Sequence, residues 1–143
     1  MVQLYPYLNF NGQGQEAMQF YQSVLGGDLK IQTYEESGQA KKPEENNLLM
    51  HGELRTDNGI IFYAADGNEE HKVEMGNSVH MSLQGDDEEL LTKYFNGLSE
   101  GGNVEFPLSK QFWGDTFGMF TDKFGIHWMV NITSKERMSG GEK

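Results

Sequence analysis

The sequence predicts an α+β fold made of two tandem β-α-β-β-β modules. Three observations carry this prediction: segments with alternating apolar and polar residues, two amphipathic segments that each end at a Gly-Gly pair, and repetition of both features. Gly26-Gly27 and Gly101-Gly102 lie 75 positions apart, and the same offset aligns Phe20 with Phe95. The last hairpins of the two modules align at an offset of 66, because the second module has shorter loops.

The first module begins with a strand over residues 4–10, where Leu4, Leu8 and Phe10 are expected to face the core. Apolar residues at positions i, i+3, i+4 and i+7 predict a helix over residues 16–25, which the Gly-Gly pair ends. Asn58-Gly59 predicts a two-residue hairpin turn. The other elements are a strand over 29–34, a polar loop over 35–47 and strands over 48–56 and 60–65.

The second module repeats this order. The acidic run over 86–89 is expected to begin its helix, where carboxylates complement the helix dipole. Strands are expected over 78–83, 104–108, 116–121 and 126–132. The 143 residues are therefore expected to form a single domain with internal modules at 1–67 and 77–133, and the tail over 134–143 is expected to be mobile.

Composition excludes several function classes. Eleven Lys and Arg residues against 22 Asp and Glu residues give a net charge of −11, so neither nucleic acid nor a membrane surface is an expected partner. The absence of cysteine excludes disulfides and thiolate metal sites. The sequence shows no basic amino-terminal signal region and no apolar run of membrane-spanning length, which predicts a cytoplasmic protein.

Three stretches carry a family resemblance: residues 6–12, residues 16–27 and residues 112–129. The third is the most specific, because aromatic residues, glycines and Asp122 match together. On these residues the chain resembles the vicinal oxygen chelate superfamily, which includes glyoxalase I, bleomycin-resistance proteins and extradiol dioxygenases, and within it the PhnB-like branch. With one face of each sheet covered by its helix, the opposite faces are expected to line a shared concave pocket.

The resemblance also identifies the positions that hold a divalent metal ion in metal-using members of the superfamily. They correspond here to Tyr5, Tyr63, His80 and Met129. Two phenols, a thioether and one imidazole are a poor ligand set for hard or borderline divalent ions, which prefer carboxylates and several imidazoles. We therefore expect no metal cofactor at these positions.

The expected function is binding of a small, partly apolar or aromatic molecule, by a homodimer, without an obligatory metal. Two structural alternatives stay open: the tyrosines only fill one end of the pocket, and Trp113 packs with Phe112 in the core or in a dimer interface. The expected pocket residues are Tyr5, Tyr7, Tyr63, His80, Trp113 and Met129.

The alternative function is a divalent-metal-dependent lyase, transferase or dioxygenase. Its metal would lie at a displaced site formed by His51, Glu53, His80 and His127. Family members often carry the label of a demethylubiquinone methyltransferase, but the sequence lacks a glycine-rich S-adenosylmethionine loop. A purely structural or regulatory module is the third hypothesis.

Overall fold

The structure, a computed structural model, describes residues 1–134 and confirms the α+β prediction. The chain divides into two compact units, residues 1–74 and a second that begins at Met75. Each unit is a four-stranded sheet, with α1 against the sheet of the first unit and α3 against the sheet of the second. From residue 135 onward the expected tail lies outside the described residues, and the shared concave pocket stays a prediction.

In the first unit the strands lie in the order β1-β4-β3-β2. Strand β1 runs parallel to β4, and the other neighbours are antiparallel. The elements are β1 (Tyr7–Phe10), α1 (Gly14–Leu25), β2 (Asp28–Thr33), α2 (Tyr34–Ser37), a 3-10 helix (Pro43–Glu45), β3 (Leu49–Arg55) and β4 (Ile61–Asp66).

In the second unit the order is β5-β8-β7-β6, again with one parallel pair, β5 with β8. None of the helices within residues 1–134 is long and apolar enough to cross a membrane. The elements are β5 (Met81–Gly85), α3 (Glu88–Ser99), β6 (Asn103–Lys110), β7 (Thr116–Thr121) and β8 (His127–Ile132).

The core of the first unit follows the predicted periodicities with one exception. Leu8 and Phe10 are buried on β1, and Ala17 and Tyr21 are buried on the apolar face of α1. Leu4, which the alternation predicts in the core, is exposed because β1 begins only at Tyr7.

The segment expected to be a loop over 35–47 contains α2 and the 3-10 helix. Thr33 accepts a hydrogen bond from the Glu36 backbone N–H, and the Glu36 carboxylate accepts one from the Thr33 N–H. This reciprocal capping box begins α2. Tyr34 is buried, and its hydroxyl donates to the Asp66 carbonyl at 2.9 Å, which fixes the segment against the end of β4.

The two Gly-Gly pairs have matching roles, which supports the internal duplication. The first glycine of each pair has a positive φ, 77° in one unit and 79° in the other. The second glycine lies against a backbone carbonyl: a Cβ on Gly27 would stand 2.4 Å from the Arg55 oxygen, and one on Gly102 would stand 2.2 Å from the Thr121 oxygen. Arg55 and Thr121 are themselves related by the offset of 66.

The hairpin between β3 and β4 differs from the predicted two-residue turn. The Thr56 N–H donates to the Ile60 carbonyl at 3.0 Å, so three residues form the loop, and the last of them, Gly59, has a φ of 98°. A two-residue type I′ turn would need a positive φ at Asn58 as well, and within residues 1–134 only glycines have one. The same geometry recurs after Asp122 in the second unit.

Strand register confirms the alignment of the two modules. Tyr7 lies opposite Tyr63 in the parallel pair of the first unit, and Ser82 lies opposite Met129 in that of the second. These pairs differ by the offsets of 75 and 66 that the sequence predicts. Tyr63 and Met129 are therefore structurally equivalent in the two sheets, whereas Tyr5 and His80 lie just before the observed strands, which begin at Tyr7 and Met81.

Candidate functional site

The face of the first sheet opposite α1, here called the open face, carries a row of polar and aromatic side chains. Phe62 and Ala64 are buried, so Tyr63 between them points to the open face. The register places Tyr7 on one side of Tyr63 and Glu53 on the other. The opening residues of the chain, β1, β3 and β4 thus present polar aromatic and charged groups on one surface.

The Tyr63 ring is in contact with three other rings. We call the four residues the tyrosine cluster: Tyr5, Tyr7, Tyr63 and His51. The Tyr63 ring stacks on the rings of Tyr7 and His51, with centroids 6.0 and 5.5 Å away. Tyr5 meets it edge-on at 5.6 Å. The Tyr7 hydroxyl lies 3.3 Å from His51 Nδ1, and burial raises the pKa of Tyr7, so this phenol stays neutral at physiological pH.

Arg55 borders the tyrosine cluster and was missed among the sequence-predicted site residues. Its Nη2 donates to the Tyr63 hydroxyl at 3.4 Å, and its Nε donates to Glu53. The hydrogen bond from Arg55 is the main cause that lowers the pKa of Glu53, with smaller contributions from Lys30 and His51. A period of two from His51 and Glu53 would have placed Arg55 on the same strand face.

In the second unit the predicted residue His80 lies beside His127, with ring centroids 5.5 Å apart. His127 Nε2 is 2.9 Å from the Gly76 carbonyl oxygen, and its Nδ1 is 2.9 Å from Thr121 Oγ1. Because a carbonyl only accepts hydrogen bonds, Nε2 carries a proton in this arrangement. Both nitrogens of His127 therefore have hydrogen-bond partners within the second unit.

Met129 lies two residues after His127 on β8, on the same strand face, and Trp113 lies in the loop before β7. Met129 is opposite Ser82 on β5 and opposite Met119 on β7. The Trp113 ring is 6.5 Å from Phe117 of β7, whereas Phe112 is 96% exposed. Trp113 is thus held near the sheet, and Phe112 is presented to solvent.

The donor groups do not fit a metal site of the kind found in metal-using members of the fold. Within residues 1–134 no three His, Asp or Glu side chains are grouped so that they could hold a metal ion. In the alternative ligand set, Glu53 is engaged by Arg55, and His127 is hydrogen-bonded through both nitrogens. Neutral phenols and a thioether do not replace the carboxylates that hard divalent ions prefer.

Buried carboxylates elsewhere serve the fold. Asp66 Oδ1 accepts the backbone N–H groups of Gly12 and Gly14 at 2.8 and 2.9 Å, and Oδ2 accepts that of Leu49 at 2.8 Å. Asp122 of the second unit also accepts two backbone N–H groups. These hydrogen bonds fix loops and strand ends, which gives the buried carboxylates a structural role.

A concave surface of about 800 Å³ lies at the amino-terminus of α3. Its walls are the acidic run that the sequence predicts to begin this helix, and Asp87 confirms that role by accepting the Leu90 N–H at 3.1 Å. The acidic side chains complement the helix dipole. The acidic composition of this surface is therefore explained by its place at the start of α3.

Comparisons with known proteins found a matching family model and similar solved structures. A family model described as 3-demethylubiquinone-9 3-methyltransferase matches residues 2–131. The crystal structure of protein PA1353 from Pseudomonas aeruginosa is 35% identical, covers 94% of this chain and 100% of its own, and has a TM-score of 0.80.

Two further solved structures show the fold alone, because their identities are low. A putative 3-demethylubiquinone-9 3-methyltransferase, PhnB protein, from Bacillus cereus is 23% identical over 92% of this chain and 100% of its own, with a TM-score of 0.72. A glyoxalase/bleomycin resistance protein/dioxygenase family enzyme from Burkholderia phytofirmans is 15% identical over 88% and 95% of the two chains, with a TM-score of 0.59.

Proposed function

We propose that this chain, which belongs to the PhnB-like 3-demethylubiquinone-9 3-methyltransferase family, binds a small, partly apolar or aromatic molecule. The chain has the fold of the glyoxalase/bleomycin resistance proteins. The proposed binding does not require a metal ion. One observation carries the proposal: the tyrosine cluster lies on the open face of a sheet instead of in its core. Tyr7 is 48% exposed although its ring stacks on Tyr63.

The cluster offers what a planar ligand needs. Aromatic rings add to a stack by offset or edge-to-face contacts at centroid distances of about 4.5 to 7 Å, and each pair contributes about 0.5 to 1.5 kcal/mol beyond area burial. The Tyr7 hydroxyl, which can take part in a second hydrogen bond beside its contact with His51 Nδ1, supplies a polar contact that orients such a ligand. For the second unit, taken by itself, we propose His80, Trp113 and Met129 as ligand-contacting residues.

Metal independence is proposed from donor chemistry. The four positions that correspond to metal ligands carry two phenols, a thioether and a single imidazole, so no reaction step is assigned to a metal. The methyl-transfer activity in the name of the family is not proposed either, because the sequence lacks a glycine-rich loop for S-adenosylmethionine.

A calorimetric titration tests the proposal. The purified protein, treated with chelator and desalted, is titrated with planar bicyclic aromatics such as 2-naphthoate and 2-naphthamide. Binding is expected for wild type and is expected to weaken about tenfold or more in Tyr63→Ala, since this ring contacts three others.

Phe20→Ala is the matched control, because it removes an aromatic ring of α1, which packs on the face of the first sheet opposite the tyrosine cluster. Its affinity is expected to equal that of wild type. Failure of every aromatic probe to bind wild type, or equal losses in Tyr63→Ala and Phe20→Ala, would contradict the assignment of the tyrosine cluster.

A further inference from the structure

We infer that the ligand of the first unit carries an acidic group, such as a carboxylate, attached to its aromatic ring or one atom away from it, and that Arg55 binds that group. This inference rests on the proposed function, because it names the class of molecule that the tyrosine cluster takes. Arg55 becomes a specificity-determining residue of the site.

Arg55 is an arginine beside the tyrosine cluster. The chain has eleven cationic side chains, and only Arg55 and Arg137 are arginines. Arginine differs from lysine in presenting a planar fork of donors that matches a carboxylate and stacks on aromatic rings. The position that borders the tyrosine cluster thus carries the cation best suited to an aromatic acid.

The Arg55 guanidinium has more N–H donors than its contacts with Glu53 and Tyr63 use. A guanidinium has five N–H groups, and the contacts with Glu53 and Tyr63 engage one at Nε and one at Nη2. The Arg55 side chain is 48% exposed, whereas the Glu53 side chain is only 19% exposed. Glu53 therefore orients the guanidinium from the sheet side, and the remaining donors stay accessible to an anion.

The Arg55 guanidinium lies close to the rings of the tyrosine cluster. Arg55 Nη2 is 3.4 Å from the Tyr63 hydroxyl, and the Tyr63 ring stacks on those of Tyr7 and His51. An anion held by the guanidinium consequently lies at the rim of the aromatic surface. This closeness limits the spacer between the acidic group and the ligand ring to about one atom, because one bonded atom spans about 1.5 Å.

The negative charge of the chain bears on whether an anionic ligand can bind. The whole chain carries a net charge of −11, which repels anionic ligands in general. A local cation on the open face is then needed for an aromatic acid to bind. Because Glu53 is paired with Arg55 and also lies opposite Lys30, the two cations exceed the one carboxylate there by a single positive charge. Neutral aromatics have no such requirement, so the two ligand classes are separable by experiment.

The test compares two isosteric probes, 2-naphthoate and 2-naphthamide, by calorimetry at low salt and neutral pH. Wild type is expected to bind the naphthoate about tenfold more tightly than the amide, as charge-assisted hydrogen bonds are stronger than neutral ones. Arg55→Met is expected to remove this preference, so that the acid no longer binds more tightly than the amide. Arg55→Lys, which keeps the charge but not the fork, is expected to lie between them.

Lys93→Met is the matched control, because it removes an equal charge from the exposed side of α3 in the other unit. It is expected to leave both affinities unchanged. Equal affinities of wild type for the acid and the amide would overturn the inference and leave the proposed function standing. So would a loss in Lys93→Met as large as that in Arg55→Met, whereas failure of both probes to bind would defeat both proposals.

Discussion

The substitution Asp66→Asn tests whether one carboxylate fixes the architecture behind the tyrosine cluster. Asp66 ends β4, the strand that carries Tyr63, and is 5% exposed. Its two oxygens accept three backbone N–H groups from the turn before α1, the start of α1 and the start of β3. Asparagine keeps the shape but has one acceptor oxygen and one NH₂ group, so it can satisfy at most the two N–H groups on one side.

The expected loss follows from these three hydrogen bonds. Two of them persist as neutral bonds, and each loses about 1 kcal/mol relative to a bond with a carboxylate. The third N–H, that of Leu49, would face the new NH₂ group, and an unsatisfied buried donor costs about 1 to 3 kcal/mol. We expect the free energy of unfolding to fall by about 4 kcal/mol and the melting temperature to fall by about 12 °C.

Urea denaturation followed by circular dichroism measures this change, with linear extrapolation to water. Asp57→Asn is the control, since it makes the same substitution on the exposed hairpin between β3 and β4 and is expected to change stability by less than about 0.5 kcal/mol. The reasoning is refuted if Asp66→Asn is no less stable than Asp57→Asn.

Three further predictions concern packing, ionisation and association. Gly102→Ala should lower the free energy of unfolding by about 1 to 3 kcal/mol in a thermal melt, because its Cβ would stand 2.2 Å from the Thr121 carbonyl oxygen. Gly76→Ala, which has open space around it, should lower the free energy of unfolding far less, and equal losses would contradict the close approach at Gly102. Burial raises the pKa of Tyr7, so the contribution of Tyr7 to stability is complete below pH about 10 and falls above it. In an absorbance titration, Tyr7→Phe should remove a tyrosine that ionises above pH about 10, and loss of a tyrosine that ionises at lower pH would refute this. Light scattering at micromolar concentration should report a homodimer, which would cover exposed apolar residues such as Phe106 and Phe112, and a monomer would contradict this prediction.

Periodicity and duplication were sufficient to predict most of the fold. Alternation placed Leu8 and Phe10 in the core, and the repeat offsets correctly related the pair Tyr7 and Tyr63 to the pair Ser82 and Met129. Alternation failed at Leu4, because burial requires a neighbouring layer and not only the right spacing. The one-turn helix α2 had a signal in the sequence, the Thr33 to Glu36 capping box, which the polar composition of the segment obscured.

The turn and the site show what local patterns leave open. Asn58-Gly59 marked the hairpin correctly, but the pairing of Thr56 with Ile60 sets the loop length, and that pairing depends on the packing of both strands. Within the site, single-strand patterns cannot show which side chains meet across strands. The contact of Arg55 with Tyr63 needs the register of β3 against β4, which only the folded sheet supplies.

Binding of an aromatic ligand without a metal is tested most directly by titrating the chelated, desalted protein with 2-naphthoate before and after addition of Mn²⁺, Zn²⁺ or Ni²⁺. We predict the same dissociation constant in both states and a melting temperature that chelator does not change. A metal at 100 times its dissociation constant would stabilise the fold by about 2.7 kcal/mol, which raises the melting temperature by several degrees. Binding that requires the metal, together with such a rise that His80→Ala abolishes, would contradict the metal-free site and favour the metal-dependent enzyme.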